Sequence, residues 1–117
     1  MTRARLLAGT GLVLMAAALV YGFGWGEFRR EGGELMRLVW GQVALIDVYV
    51  GFALFGGWVA YRERSAAAAT VWILLVLGLG NLVSCLYVLL ALRRSRGDWA
   101  RFWLGARAPL APRDRPV

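Results

Sequence analysis

The chain has 117 residues, enough for one domain, of which 60% are hydrophobic and 18% are charged, with a net charge of +7. Soluble domains carry a charged fraction nearer ~25%, and here the charges are confined to short segments. Residues 6–26 and 65–92 are uncharged, and Asp47 is the only charge within 38–61. This distribution excludes a soluble globular domain, a disordered chain and a separate extramembrane catalytic domain.

Each apolar run is long enough for a membrane-spanning helix, because a bilayer core of ~30 Å takes ~20 apolar residues. We predict an all-α integral membrane bundle with three transmembrane helices at about 6–25, 38–61 and 71–92. A soluble bundle would show a polar face at helical spacing, which residues 71–92 lack. The N-terminus resembles a signal peptide, but no small-residue cleavage site follows it, so we predict a retained first span.

The segments between the spans are short. Gly32 and Gly33 are expected to break any helix in the first loop, and a tight connection at 61–65 should make spans two and three antiparallel neighbours. Tryptophans lie near span ends and in the tail, where indoles favour the headgroup level. Interfacial anchors are therefore predicted at Trp25, Trp40, Trp58, Trp72, Trp99 and Trp103.

The tail combines arginines with an apolar stripe. Asp98 can cap a short helix at about 98–107, in which Trp99, Phe102 and Trp103 share one face. We expect this amphipathic helix to lie in the membrane interface, with anionic lipid against its arginines. A plain solvated tail is the alternative, and residues 109–117, with three prolines, are expected to be disordered.

All 14 basic residues are arginine. Their position at the span ends favours a lipid bilayer over nucleic acid as the partner. Three crossings leave four arginines beside the spans on one side and seven on the other: Arg3, Arg5, Arg62 and Arg64 against Arg29, Arg30, Arg37, Arg93, Arg94, Arg96 and Arg101. Because cytoplasmic flanks are enriched in arginine, we predict the N-terminus outside and the C-terminus inside, in the plasma or inner membrane.

Few polar residues lie at the predicted membrane depth. Asp47 and Asn81 fall near the centres of adjacent antiparallel spans, so we predict that they face each other as an intramembrane polar pair. Gln42, Tyr49 and Ser84 are possible supporting polar residues. The pair is interpreted either as a contact that holds helices together or as a proton or cation site.

Three short segments in the second half are distinctive: Asp-x-Tyr at 47–49, Tyr-Arg-Glu-Arg-Ser at 61–65 and Gly-Asn-Leu at 80–82. With the residues around them, at 46–49, 55–65, 71–73 and 79–87, they resemble a family of small membrane proteins, domain of unknown function 1475. The resemblance implies a polytopic membrane protein and no known activity.

The sequence contains no nucleotide-binding or hydrolase motif. With no His and one Cys it offers no zinc site, and we predict no cofactor, no metal and no catalytic residue. A single intramembrane carboxylate gives little support for acid–base catalysis, which usually needs a second titrating or nucleophilic group. We therefore expect a non-enzymatic structural or accessory subunit that is oligomeric or bound to a membrane partner. The alternative is a small oligomeric proton- or cation-coupled transporter that uses Asp47.

Overall fold

The computed structural model describes residues 1–109, and the fold in this range is all-helical, as predicted, without a strand. The elements are α1 (Thr2–Trp25), α2 (Phe28–Arg37), α3 (Val39–Arg62), α4 (Ala66–Leu79), α5 (Asn81–Ser95), α6 (Trp99–Leu104) and a 3-10 helix (Gly105–Arg107). Of the segment predicted to be disordered, 109–117, all but residue 109 lies outside the described residues.

Two long helices, α1 and α3, cover the first two predicted spans. Each has 24 residues and is therefore about 36 Å long. By length and composition both could cross a membrane. Ala8 is the one buried residue of α1, so nearly all of its apolar side chains face outwards.

The third predicted span, 71–92, is wrong because the chain turns back at Gly80. The turn has φ 70° and ψ −141°, backbone angles that favour glycine. The rings of Trp72 and Tyr87 lie 5.0 Å apart, and Val76 shares a core cluster with Val83. These contacts make α4 and α5 an antiparallel hairpin. Its arms have 14 and 15 residues, so at about 21 Å each is shorter than the ~30 Å bilayer core.

The α4–α5 hairpin lies between α1 and α3. On one side Phe52 of α3 packs with Val76 and Val83. On the other side α1 approaches α5 so closely that a Cβ atom on Gly11 would lie 2.8 Å from the Cys85 Sγ. Small residues permit such close approach of helices, and here the glycine lets the two helices pack side by side.

Both ends of the described chain lie at the same end of this bundle. The Ser95 Oγ, at the end of α5, is 3.3 Å from the Met1 Sδ. The prediction of an outside N-terminus and an inside C-terminus requires three crossings. It loses its basis because the hairpin returns the chain to the end from which it started.

The first connection is also different from the prediction, because α2 runs through Gly32 and Gly33 without a break. An ion pair at its start, 3.4 Å between Arg30 Nε and Glu27 Oε2, supports the first turn. The helix then packs against the start of α3, where Gly41 allows a close approach to the Leu35 carbonyl. The helix therefore forms despite a cost of about 1 kcal/mol for each glycine.

Candidate functional site

A cavity of about 410 Å³ lies beside the hairpin turn, between α3 and the start of α5. We call it the turn cavity, and its lining residues are Asp47, Val48, Gly51, Phe52, Phe55, Asn81 and Ser84. Three of them carry polar oxygen atoms in an otherwise apolar wall. The cavity is the place where the hairpin brings the predicted polar residues together.

The predicted partners Asp47 and Asn81 both line the turn cavity, and both are exposed. Within residues 1–109 no hydrogen bond joins them, so direct pairing stays a prediction. Ser84 lies beside them, and its buried Oγ has no hydrogen-bond partner in the same part of the chain. A buried hydroxyl without a partner costs about 1–3 kcal/mol, which marks this wall as suited to a further polar group.

Gln42 and Tyr49, the other two proposed supporting residues, lie elsewhere. The Gln42 Nε2 donates to the Met36 carbonyl at 2.8 Å and closes the turn between α2 and α3. Tyr49 is exposed, and its ring contacts Phe52 edge-on at 5.6 Å. Neither side chain lines the turn cavity.

The predicted tryptophan anchors fall into three groups. Trp25 and Trp40 are 78% and 81% exposed, at the far end of the bundle from Met1. Trp99 and Trp103 are about half exposed on α6. By contrast, Trp58 and Trp72 pack edge-on against Tyr87, with ring centroids 5.8 and 5.0 Å from it. The last two thus belong to an aromatic core between α3 and the hairpin.

A buried arginine, Arg62, joins the tail to this core, and sequence reasoning missed it. Its side chain is only 8% exposed. The Nε donates to the Phe102 carbonyl at 2.7 Å, and the Nη1 donates to the Tyr87 hydroxyl at 2.8 Å. The guanidinium group also lies 5.4 Å from the ring centroids of Trp58 and Tyr87. One side chain therefore fixes α6 to both α3 and α5.

The Arg62 network extends to a carboxylate. The Tyr87 hydroxyl, which accepts from Arg62, donates in turn to Glu63 Oε1 at 2.8 Å. At the other edge, the Trp58 Nε1 donates to the Trp103 carbonyl at 3.1 Å. A basic residue at the end of an apolar run is typical of a span flank that sets topology, so no sequence pattern indicates that Arg62 is buried.

A second cavity, of about 480 Å³, opens next to Arg62 at the end of the bundle where Met1 lies. We call it the basic cavity, and its lining residues are Arg62, Glu63, Arg64, Ser65, Arg94, Ser95, Arg101, Gly105, Ala106, Ala108 and Pro109. Four arginines and one carboxylate line it, and one of the arginines, Arg101, also pairs with Asp98 at 3.8 Å. The cavity is therefore positively charged and suited to an anion.

Metal binding has no support in the described residues, since no group of three or more His, Cys, Asp or Glu side chains comes together there. The comparisons with known proteins agree with the sequence resemblance and add no activity. The model of one family, described as "Protein of unknown function (DUF1475)", matches residues 3–98. That range runs from α1 through the hairpin. No curated protein and no solved structure matches the chain significantly.

Proposed function

We propose that this chain, which belongs to the DUF1475 family, is a non-enzymatic integral membrane subunit with two membrane-spanning helices, α1 and α3. The observation that carries the proposal is the outward-facing apolar surface of these two helices. Both are about 36 Å long, which exceeds the ~30 Å hydrocarbon core. Monomeric soluble proteins rarely expose so large an apolar surface, whereas lipid solvates it.

In this arrangement the α4–α5 hairpin enters the membrane and returns without crossing it. Its turn lies at membrane depth, where non-helical backbone needs cover from protein or from a cavity. The Phe52 ring supplies cover, because its Cζ lies 3.4 Å from the position of a Cβ on Gly80. The turn cavity, which Phe52 also lines, reaches Asn81, the first residue of α5.

The distribution of arginines supports a cytoplasmic location of both chain ends, in the plasma or inner membrane. The end of the bundle that contains Met1 carries Arg3, Arg5, Arg62, Arg64, Arg93, Arg94, Arg96, Arg101 and Arg107, and the far end carries Arg29, Arg30 and Arg37. Basic residues near span ends stay on the cytoplasmic side. Anionic lipid is the expected partner of this arginine-rich end, and nucleic acid is not.

Reporter fusions test the topology. A phosphatase that is active only outside the cytoplasm should be inactive at the N-terminus and at the C-terminus of the full chain. The same enzyme inserted at Gly33 in α2 should be active, which provides the matched control. An active C-terminal fusion would contradict the returning hairpin, and release of the chain by alkaline carbonate would contradict membrane insertion itself.

The turn cavity supports a role in assembly. An aspartate at the bilayer centre costs about 2.5–3.5 kcal/mol, and Asp47 and Asn81 are exposed at the surface of one chain. A second copy or a membrane partner that supplies hydrogen bonds would remove this cost. We therefore propose that the chain works as an oligomer or as an accessory subunit, held in part by these two side chains.

A second candidate function is supported by the three oxygen-bearing side chains of the turn cavity. Asp47, Asn81 and the Ser84 hydroxyl, which has no hydrogen-bond partner within residues 1–109, would suit a proton or a cation. In this alternative the chain is a small oligomeric proton- or cation-coupled transporter, and Asp47 is the exchanging carboxylate.

Substitution of Asp47 separates the two functions. Asp47→Asn keeps the shape and the hydrogen bonds but removes titration, and we expect it to preserve association in detergent. Asp47→Leu should weaken association by about 3- to 30-fold, the range expected for an intramembrane hydrogen bond of ~0.6–2 kcal/mol. Proton uptake into vesicles that wild type shows and Asp47→Asn lacks would instead favour the transporter.

A further inference from the structure

We infer that the basic cavity binds the headgroup phosphate of an anionic phospholipid. The inference rests on the proposed membrane location and names the ligand at the arginine-rich end. The chemistry is that of a phosphodiester with one net negative charge, which planar guanidinium groups recognise through paired hydrogen bonds.

The charge of the cavity comes from two separate elements. Arg64 lies in the connection between α3 and α4, and Arg94 lies in the last turn of α5. Both side chains are exposed, and neither has a hydrogen-bond or ion-pair partner within residues 1–109. Because they stand on the walls of one cavity, a single phosphate between them can accept from both.

Carboxylates offset only part of this charge: among the described residues Glu63 is the one carboxylate in the cavity lining, and Asp98 Oδ2 lies 3.8 Å from Arg101 Nε. Glu63 Oε1 accepts a hydrogen bond from Tyr87 at 2.8 Å, so the carboxylate is held towards the aromatic core. Arg62, which also lines the cavity, adds a further positive charge, although its own donors are used within the protein. The start of α4, capped by Ser65, adds the positive end of a 14-residue helix.

The position of the cavity favours a lipid over free phosphate. It lies where α3 ends and α4 begins, which is the headgroup level if α3 spans the membrane. The neighbouring α6 presents Trp99 and Trp103, which are about half exposed. Indole rings of this kind are enriched at the headgroup level, so acyl chains beside α6 could accompany a phosphate in the cavity. A volume of about 480 Å³ leaves room for the phosphate and part of the glycerol.

The test is a titration of the purified full chain, in a neutral detergent, with short-chain phosphatidylglycerol. The double variant Arg64→Gln/Arg94→Gln should raise the dissociation constant for phosphatidylglycerol by about 10- to 30-fold. This range assumes that the two arginines contribute equally to the attraction of the anionic lipid. The matched control is Arg29→Gln/Arg30→Gln in α2, which removes the same charge from the far end and should change the constant by less than about twofold. Short-chain phosphatidylcholine should bind at least about 10-fold more weakly to wild type.

Three results would overturn the inference. An equal loss in both double variants would mean diffuse attraction by net charge, and no difference between the two lipids would mean that the anionic headgroup is not recognised. Binding of inorganic phosphate as tight as that of phosphatidylglycerol would make the ligand a free phosphate. Circular dichroism checks that both variants fold, and alkaline carbonate extraction separately reports membrane insertion, so failure of the site is distinguishable from failure of the proposed function.

Discussion

Arg62→Ala is expected to release α6 from the bundle and to lower the free energy of unfolding by about 3 kcal/mol. The substitution removes two short hydrogen bonds from a charged donor, at 2.7 and 2.8 Å, and such bonds contribute about 1.5–3 kcal/mol each. It also leaves the buried Phe102 carbonyl without this donor. Unfolding in mixed micelles measures the loss of stability, and faster tryptic cleavage after Arg101 measures the release of α6.

Two further substitutions at this end provide the controls. Arg62→Lys keeps the charge but has no planar fork to reach Phe102 and Tyr87 together, so most of the loss should remain. Arg64→Ala removes a neighbouring exposed arginine and should change the free energy of unfolding by no more than ~0.5 kcal/mol. If Arg62→Ala and Arg64→Ala behave alike, the buried arginine does not hold the tail.

Gly80→Ala is expected to destabilise the hairpin by about 2 kcal/mol or more. A side chain at φ 70° and ψ −141° is strained by ~1–3 kcal/mol, and the new Cβ would lie 3.4 Å from the Phe52 ring. The same measurement in mixed micelles gives the change in the free energy of unfolding.

Gly78→Ala is the matched control for the turn. Gly78 lies inside α4, and within residues 1–109 a Cβ there would meet no atom closer than 4 Å apart from its chain neighbours and the backbone of its own helix. Replacement of a helical glycine by alanine stabilises by about 0.5–1 kcal/mol, so the two substitutions should have opposite signs. Destabilisation of equal size at both positions would contradict the requirement for glycine at the turn.

The two long helices, α1 and α3, could be predicted from the sequence because charges mark their ends. Arginine or glutamate flanks each apolar run, and the structure begins and ends α1 and α3 within a few residues of the predicted limits. The α4–α5 turn could not be predicted in this way. Its two arms are apolar on all sides and are joined by one glycine, so the whole run has the composition of a single spanning helix.

Local rules also failed where distant contacts decide the outcome. Gly32 and Gly33 are poor helix residues, yet α2 runs through both of them. The burial of Arg62 depends on carbonyl groups about 40 residues further along the chain, which no local pattern reveals. Asp47, Asn81 and Ser84 line one cavity, whereas Gln42 and Tyr49 belong to other contacts.

The contact between Met1 and Ser95 bears on the order in which the protein assembles during synthesis. These residues are 94 positions apart, so α1 leaves the ribosome long before its partner α5 exists. The hairpin and α3 are close in sequence and can associate first, since short loops close readily. In a bilayer α1 can remain inserted without its partner helix, because its residues 6–25 contain no charge. We therefore expect the docking of α1 against α5 to be the last step, which completes the arginine-rich end of the bundle.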